Sequence, residues 1–132
     1  MTRKATCHCT QLELTYSGAD PKASSVCHCY SCQKRTGSIF GCQVGLKREE
    51  VRITGETKLY IHESDEGNPV KCYFCPTCGT TLYWELTCFP KHYVVAVGCF
   101  ADKDFPAPNF SVYEDRMHHW LTLPETIEEH MA

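Results

Sequence analysis

Residues 25–37 read SVCHCYSCQKRTG, with three cysteines, Cys27, Cys29 and Cys32, in six positions. Three thiols that close together in a chain with eleven cysteines suggest a metal site. They also leave open whether a fourth protein ligand closes it or chemistry does. Two further groups stand outside the stretch: Cys7–His8–Cys9 and Cys75–Pro76–Thr77–Cys78–Gly79. CPTCG has the make-up of a metal knuckle. Two thiolates two residues apart can grip one tetrahedral ion, Pro76 fixes the turn, and Gly79 permits the positive φ that a tight turn needs. A knuckle supplies two ligands and needs two more. CHC at 7–9 offers them if it is extended, because alternate side chains then share a face and His8 points away.

That pairing leaves Cys27, Cys29 and Cys32 as a separate set. Spacing alone also allows Cys42, Cys72 or a histidine to close it. A short helix is expected from Ser31 to about Thr36, with Ser31 as N-cap and Gly37 as the residue that ends it. Cys32 would then sit where helix amides lower a thiol's pKa, and Lys34 and Arg35 one turn on could face an anionic substrate. Three protein ligands with one open position is the arrangement of a catalytic zinc.

Composition narrows the classes. Eleven cysteines in 132 residues, about 8%, approach the level of a secreted disulfide scaffold. The N-terminal MTRKATCHCTQLELTYSG has no apolar core of the kind a secretion signal carries. A reducing, cytoplasmic setting is therefore expected, in which clustered thiols bind metal rather than pair. The net charge of −3 gives no case for nucleic acid, and seven thiolates with two Zn2+ would make the chain more negative still. No run of 18 apolar residues exists to span a membrane. The remaining pattern is one of short strands: 11–16, with Leu12, Leu14 and Tyr16 alternating, then 38–46, 51–55, 57–63, 71–74, 80–86, 92–100 and 109–114. SDEGNP at 64–69 reads as a hairpin loop, and the polar C-terminus as a frayed end. A single mainly β domain over 1–132 follows.

The order CHC … CHCYSCQKRTGS … FCPTCGTTLYW resembles the glutathione-dependent formaldehyde-activating enzyme (GFA) family, also called the centromere protein V/GFA domain, from Cys7 to about Trp120. The resemblance implies an Mss4-like fold of bent antiparallel β-sheets with zinc-binding loops and one or two short helices. It implies a structural zinc on Cys7, Cys9, Cys75 and Cys78 and a second zinc on Cys27, Cys29 and Cys32, which an open fourth position would leave exchangeable. It further implies carbon–sulfur lyase or synthase chemistry on a small thiol such as glutathione, with Cys29 as the catalytic cysteine. Many members carry a histidine nine residues before the tail tryptophan; here Ser111 stands there, ahead of Trp120. His118 and His119 are the residues that could take its place and move a proton. The competing class is a zinc-stabilised protein-interaction module, since Mss4-like domains also serve as platforms and fold does not fix function. Cys42, Cys72, Cys88 and Cys99 read as small buried hydrophobes, and His62 and His92 as strand decoration.

Overall fold

In a computed structural model, residues 2–132 are described. In chain order the strands are β1 (Arg3–Thr6), β2 (Glu13–Tyr16) and β3 (Ser24–Cys27), followed by the helix α1 (Tyr30–Thr36). Next come β4 (Gly41–Lys47), β5 (Val51–Thr54), β6 (Lys58–Glu63), β7 (Pro69–Phe74), β8 (Thr81–Leu86) and β9 (His92–Ala96). The chain ends through β10 (Phe110–Val112) and β11 (Glu129–His130). They form a three-stranded sheet, β1-β2-β5, and an eight-stranded one, β11-β10-β3-β4-β9-β8-β7-β6. The protein is mainly β, as expected. No helix among the described residues is long and apolar enough to cross a membrane.

The period-2 pattern of β2 does what it predicts: Leu12 and Leu14 are fully buried and Tyr16 nearly so. They meet Val44, Leu46, Leu82 and Val95 from the large sheet, so one apolar cluster joins the two sheets and also takes in Cys7 and Cys75. Each fully buried Leu or Val in it contributes roughly 1.5–3 kcal/mol. A second cluster of Val70, Cys72, Trp84, Val94 and Ala96 lies on the large sheet alone.

Four sequence expectations need correction. The three-stranded sheet is antiparallel as expected, but the eight-stranded one is mixed, because β10 runs parallel to both β3 and β11. The strand β3 was not anticipated, since SSVC is buried at every position and shows no alternation. It pairs with β10 and β4 on its two edges and is buried on both faces, so it carries no alternation. The strand expected over 92–100 stops at Ala96, and Val97–Phe100 turns into a 3-10 helix that sends Phe100 into the core. The C-terminus does not fray: Ile127 is buried, and Met131 donates its amide to the Ser111 carbonyl at 2.9 Å. The hairpin loop at 64–69 stands as expected, with Gly67 at φ 83°.

Candidate metal centres and the cavity beside them

The first centre lies where the loop after β1 meets the loop after β7. Cys7, Cys9, Cys75 and Cys78 place their sulfurs within 4.8 Å of one another. A tetrahedral ion with metal–sulfur bonds of about 2.3 Å needs sulfurs roughly 3.8 Å apart. Cys7 and Cys9 are 3.6 Å apart and Cys9 and Cys75 3.7 Å, so the set could hold a metal ion. The pairing expected from sequence is the one found, but not for the reason given. CHC is not extended: it follows β1 as a turn, closed by the Thr10 amide on the Cys7 carbonyl at 3.1 Å, with Thr10 at φ 72°. The turn, rather than strand alternation, brings the two sulfurs together.

On the other side CPTCG forms the expected knuckle. Gly79 takes φ 84° and its amide reaches the Cys75 carbonyl at 2.9 Å. The amides of Thr77 and Leu12 donate to the sulfurs of Cys75 and Cys7, both at 3.3 Å. The hydroxyl of Thr80, 3.4 Å from the Cys78 sulfur, holds that thiol down at about 5. Gln11 was not singled out in the sequence. Its Nε2 donates to the Cys75 sulfur at 3.0 Å, while its amide group exchanges two 2.9 Å hydrogen bonds with the backbone of Glu56. Donors aimed at sulfur favour the thiolate a metal requires. Nothing in the spacing of Gln11 marks it, because Glu56 is 45 residues away.

The second centre joins the end of β3 to the start of α1. Cys27, Cys29 and Cys32 bring their sulfurs within 4.8 Å, and among the described residues they form a set of three. Three soft thiols converging on one point also fit a metal ion. The N-cap of α1 is Cys29, not Ser31: its sulfur accepts the Cys32 amide at 3.3 Å. Ser31 lies inside the helix, and its hydroxyl instead meets His62 Nε2 at 3.3 Å. Gly37, at φ 71°, ends the helix as expected. Side-chain hydrogen bonds from Cys27 and Cys32, together with the helix amides, hold the Cys29 thiol far below its ordinary value. Cys27, hydrogen-bonded to that thiolate and buried, is pushed up.

All three cysteines border a cavity of about 270 Å³. Trp84 and Cys72 also line it, as does Arg116, which pairs with Asp65 at 2.5 Å and lies 5.3 Å from the rings of both Tyr30 and Tyr113. His62, read from sequence as strand decoration, lines this cavity, whereas His118 and His119 do not. His118 lies against Gln33 Oε1 at 3.3 Å, and Gln33 Nε2 in turn donates to the His28 carbonyl at 2.8 Å. Ser111 is fully buried and within 2.9 Å of His28 Nε2, so it braces the segment Cys27–His28–Cys29 and does not line the cavity. Cys42 and Cys72 join neither thiol set, and burial pushes both thiols up.

The model of the glutathione-dependent formaldehyde-activating enzyme family matches residues 2–116. The chain belongs to that family. No curated protein matches it. Among solved structures it is similar to a Rhodobacter sphaeroides protein from a structural-genomics programme, at 23% identity and TM-score 0.57, over 73% of this chain and 85% of that one. At that identity the likeness is one of fold. All seven cysteines of the two centres fall inside the family match.

Proposed function

We propose that the GFA domain, taken as one unit over 1–132 in a reducing, cytoplasmic setting, is a zinc-dependent carbon–sulfur lyase or synthase. Its substrate class is a small thiol and that thiol's aldehyde adduct, of which S-hydroxymethylglutathione is the family's type. The observation that carries the reading is the asymmetry of the two centres. Four thiols, at Cys7, Cys9, Cys75 and Cys78, converge with Cys7 and Cys75 in the core, a donor set that suits a structural zinc. Three at Cys27, Cys29 and Cys32 border a cavity large enough for a small organic molecule. Zinc bound there would supply Lewis-acid chemistry, favouring a substrate sulfur as thiolate or polarising an aldehyde oxygen.

The residues around the cavity have separable tasks. Cys29, with the Cys32 amide on its sulfur, is the cysteine kept as thiolate and the one we assign as catalytic, either as ligand or as nucleophile. Trp84 and Val70 supply apolar wall that keeps water from the reacting carbon. His62, tied to Ser31, borders the cavity and is the group placed to carry a proton. In the synthetic direction the substrate sulfur donates an electron pair to the aldehyde carbon. The carbonyl π pair moves to oxygen, which takes the proton, and a hydroxymethyl thioether results. Cleavage is the reverse, with the pair returning to sulfur.

The test combines metal analysis with exchange between formaldehyde and glutathione followed by NMR. Two zinc ions per chain are expected, one of which leaves under a mild chelator while circular dichroism is unchanged. Cys29→Ser is expected to keep its fold and lose exchange. A Cys29→Ser protein with full activity, or two ions whose loss each unfolds the chain, would overturn the reading.

A further inference from the structure

The large sheet is open at β6. This strand is the last in the sheet, with β7 on one side. Five of its six residues are exposed, among them Leu59 at 49%, Tyr60 at 59% and Ile61 at 51%, three large apolar side chains in a row. Among the described residues, no backbone–backbone hydrogen bond beyond the ladder with β7 involves Lys58–Glu63. A row of unpaired N–H and C=O groups therefore runs along the outer side, the template that another strand needs. Proteins ordinarily blunt such an edge with a proline, a bulge, charge or short length. The other three edges follow that rule: β11 has two residues, β1 and β5 have four each, and all three carry charged or ionisable side chains. By contrast β6 has six residues, pairs without a bulge, and keeps Lys58, His62 and Glu63 at its ends.

A second copy of the chain fits this edge. Two-fold antiparallel pairing of identical strands must set one residue against its own copy, because hydrogen-bonded and non-hydrogen-bonded pairs alternate along the ladder. Centred on Tyr60, the pairing sets Leu59 against the partner's Ile61 and Ile61 against the partner's Leu59, so every apolar residue meets another. Lys58 then faces the partner's His62, and Glu63 faces the partner's Thr57, with no like charges opposed. The neighbouring registers are worse. Centring on Ile61 sets Leu59 against the partner's Glu63, and centring on Leu59 sets Tyr60 against the partner's Lys58. An in-register parallel mate would bring Lys58 against the partner's Lys58 and Glu63 against the partner's Glu63.

We propose that the protein forms a two-fold dimer through β6, joining two eight-stranded sheets edge to edge about Tyr60. The pairing reaches the cavities as well. His62 lines the three-thiol cavity, and Tyr60 lines a neighbouring one of about 570 Å³. The partner's Lys58 and the partner's Tyr60 come to stand beside these two residues, whatever the cavities bind. An edge of six residues buries less than the ~800 Å² per partner of a standard interface, so the dimer is weak and half-formed on the order of 100 µM.

Sedimentation equilibrium of the metal-loaded full chain, between roughly 5 and 500 µM, tests it. The weight-average mass is expected to rise with concentration from 15.0 kDa toward twice that value. Ile61→Lys puts a charge on the exposed edge, so it is expected to keep the native circular dichroism and weaken association by about tenfold or more. Leu59→Lys, equally exposed, serves as the second variant. Photo-oxidative tyrosine coupling at the highest concentration is expected to give a covalent dimer joined at Tyr60 in both copies, and Tyr60→Phe is expected to lose it. A wild-type chain that stays at 15.0 kDa throughout would overturn the dimer and leave the edge to a different partner. Association untouched by either lysine would overturn the assignment to β6. Coupling through other tyrosines alone would overturn the register about Tyr60.

Discussion

Removing one hydroxyl, that of Ser111, should loosen the loop that carries the three-thiol set. His28 sits between Cys27 and Cys29 and is fully buried, with its Nδ1 unpartnered and its Nε2 held by Ser111 Oγ at 2.9 Å. Burial pushes the imidazole's pKa down, so the ring is neutral and the Ser111 bond is its one polar contact. Below Ser111 the side chain of Glu114 receives His130 Nδ1 at 2.6 Å, which anchors this strut to the C-terminal strand β11. Ser111→Ala deletes one oxygen and leaves a buried ring nitrogen unsatisfied, a cost of about 1–3 kcal/mol. With a urea m-value of about 2 kcal/mol/M for a small domain, the unfolding midpoint of the metal-loaded protein should fall by about 1 M. His28→Leu removes the other partner. The double variant should therefore be less destabilised than the two single losses added together, with a coupling of about 1 kcal/mol or more. Tryptophan fluorescence across a urea series measures all four proteins. An unchanged midpoint in Ser111→Ala, or strictly additive losses, would refute the idea that this hydrogen bond braces the site.

Three other outcomes follow from the geometry. Cys75→Ser removes a fully buried ligand at the centre of the main core cluster, so the protein is expected to lose one metal ion and unfold. Retention of native circular dichroism would show that the four-thiol centre does not hold the fold. Gln11→Leu keeps the side chain's shape but deletes the donor on the Cys75 sulfur, so metal affinity at that centre should drop by about tenfold. Competition with a chromophoric chelator reads this, and equal affinities would reject it. The hydrogen bond from Tyr73 to Glu85, together with burial, pushes Tyr73 up to about 12. A group whose folded pKa is raised adds stability below its unfolded pKa near 10 and loses it as pH rises through the folded value. Glu85→Gln should bring the Tyr73 titration, followed by tyrosine ring-carbon NMR, back toward about 10. An unmoved titration would mean that the carboxylate is not its cause.

What could be read from the chain alone was whatever is encoded locally. The CPTCG turn, the Gly37 helix end, the alternating Leu12, Leu14 and Tyr16, and the close spacing of the cysteines within each of their three clusters all rest on residues within a few positions of each other. They depend on backbone geometry and ligand chemistry, which short stretches specify. Strand β3 was hidden because a strand covered on both faces loses its alternation. The N-cap was misplaced because a thiolate took the amide that a serine hydroxyl ordinarily takes.

Only the tertiary structure decided which side chains meet across long separations. Gln11 reaches Cys75, and Ser111 reaches His28. His62 enters the cavity wall while His118 and His119 stay outside it, and Arg35 lies on the ring of Trp84. These contacts arise from sheet register and the parallel docking of β10 on β3, which many sequences satisfy equally well. The sequence therefore determined that this chain gathers thiols into two centres. The packing of the large sheet against α1 decided that one of them opens onto a cavity.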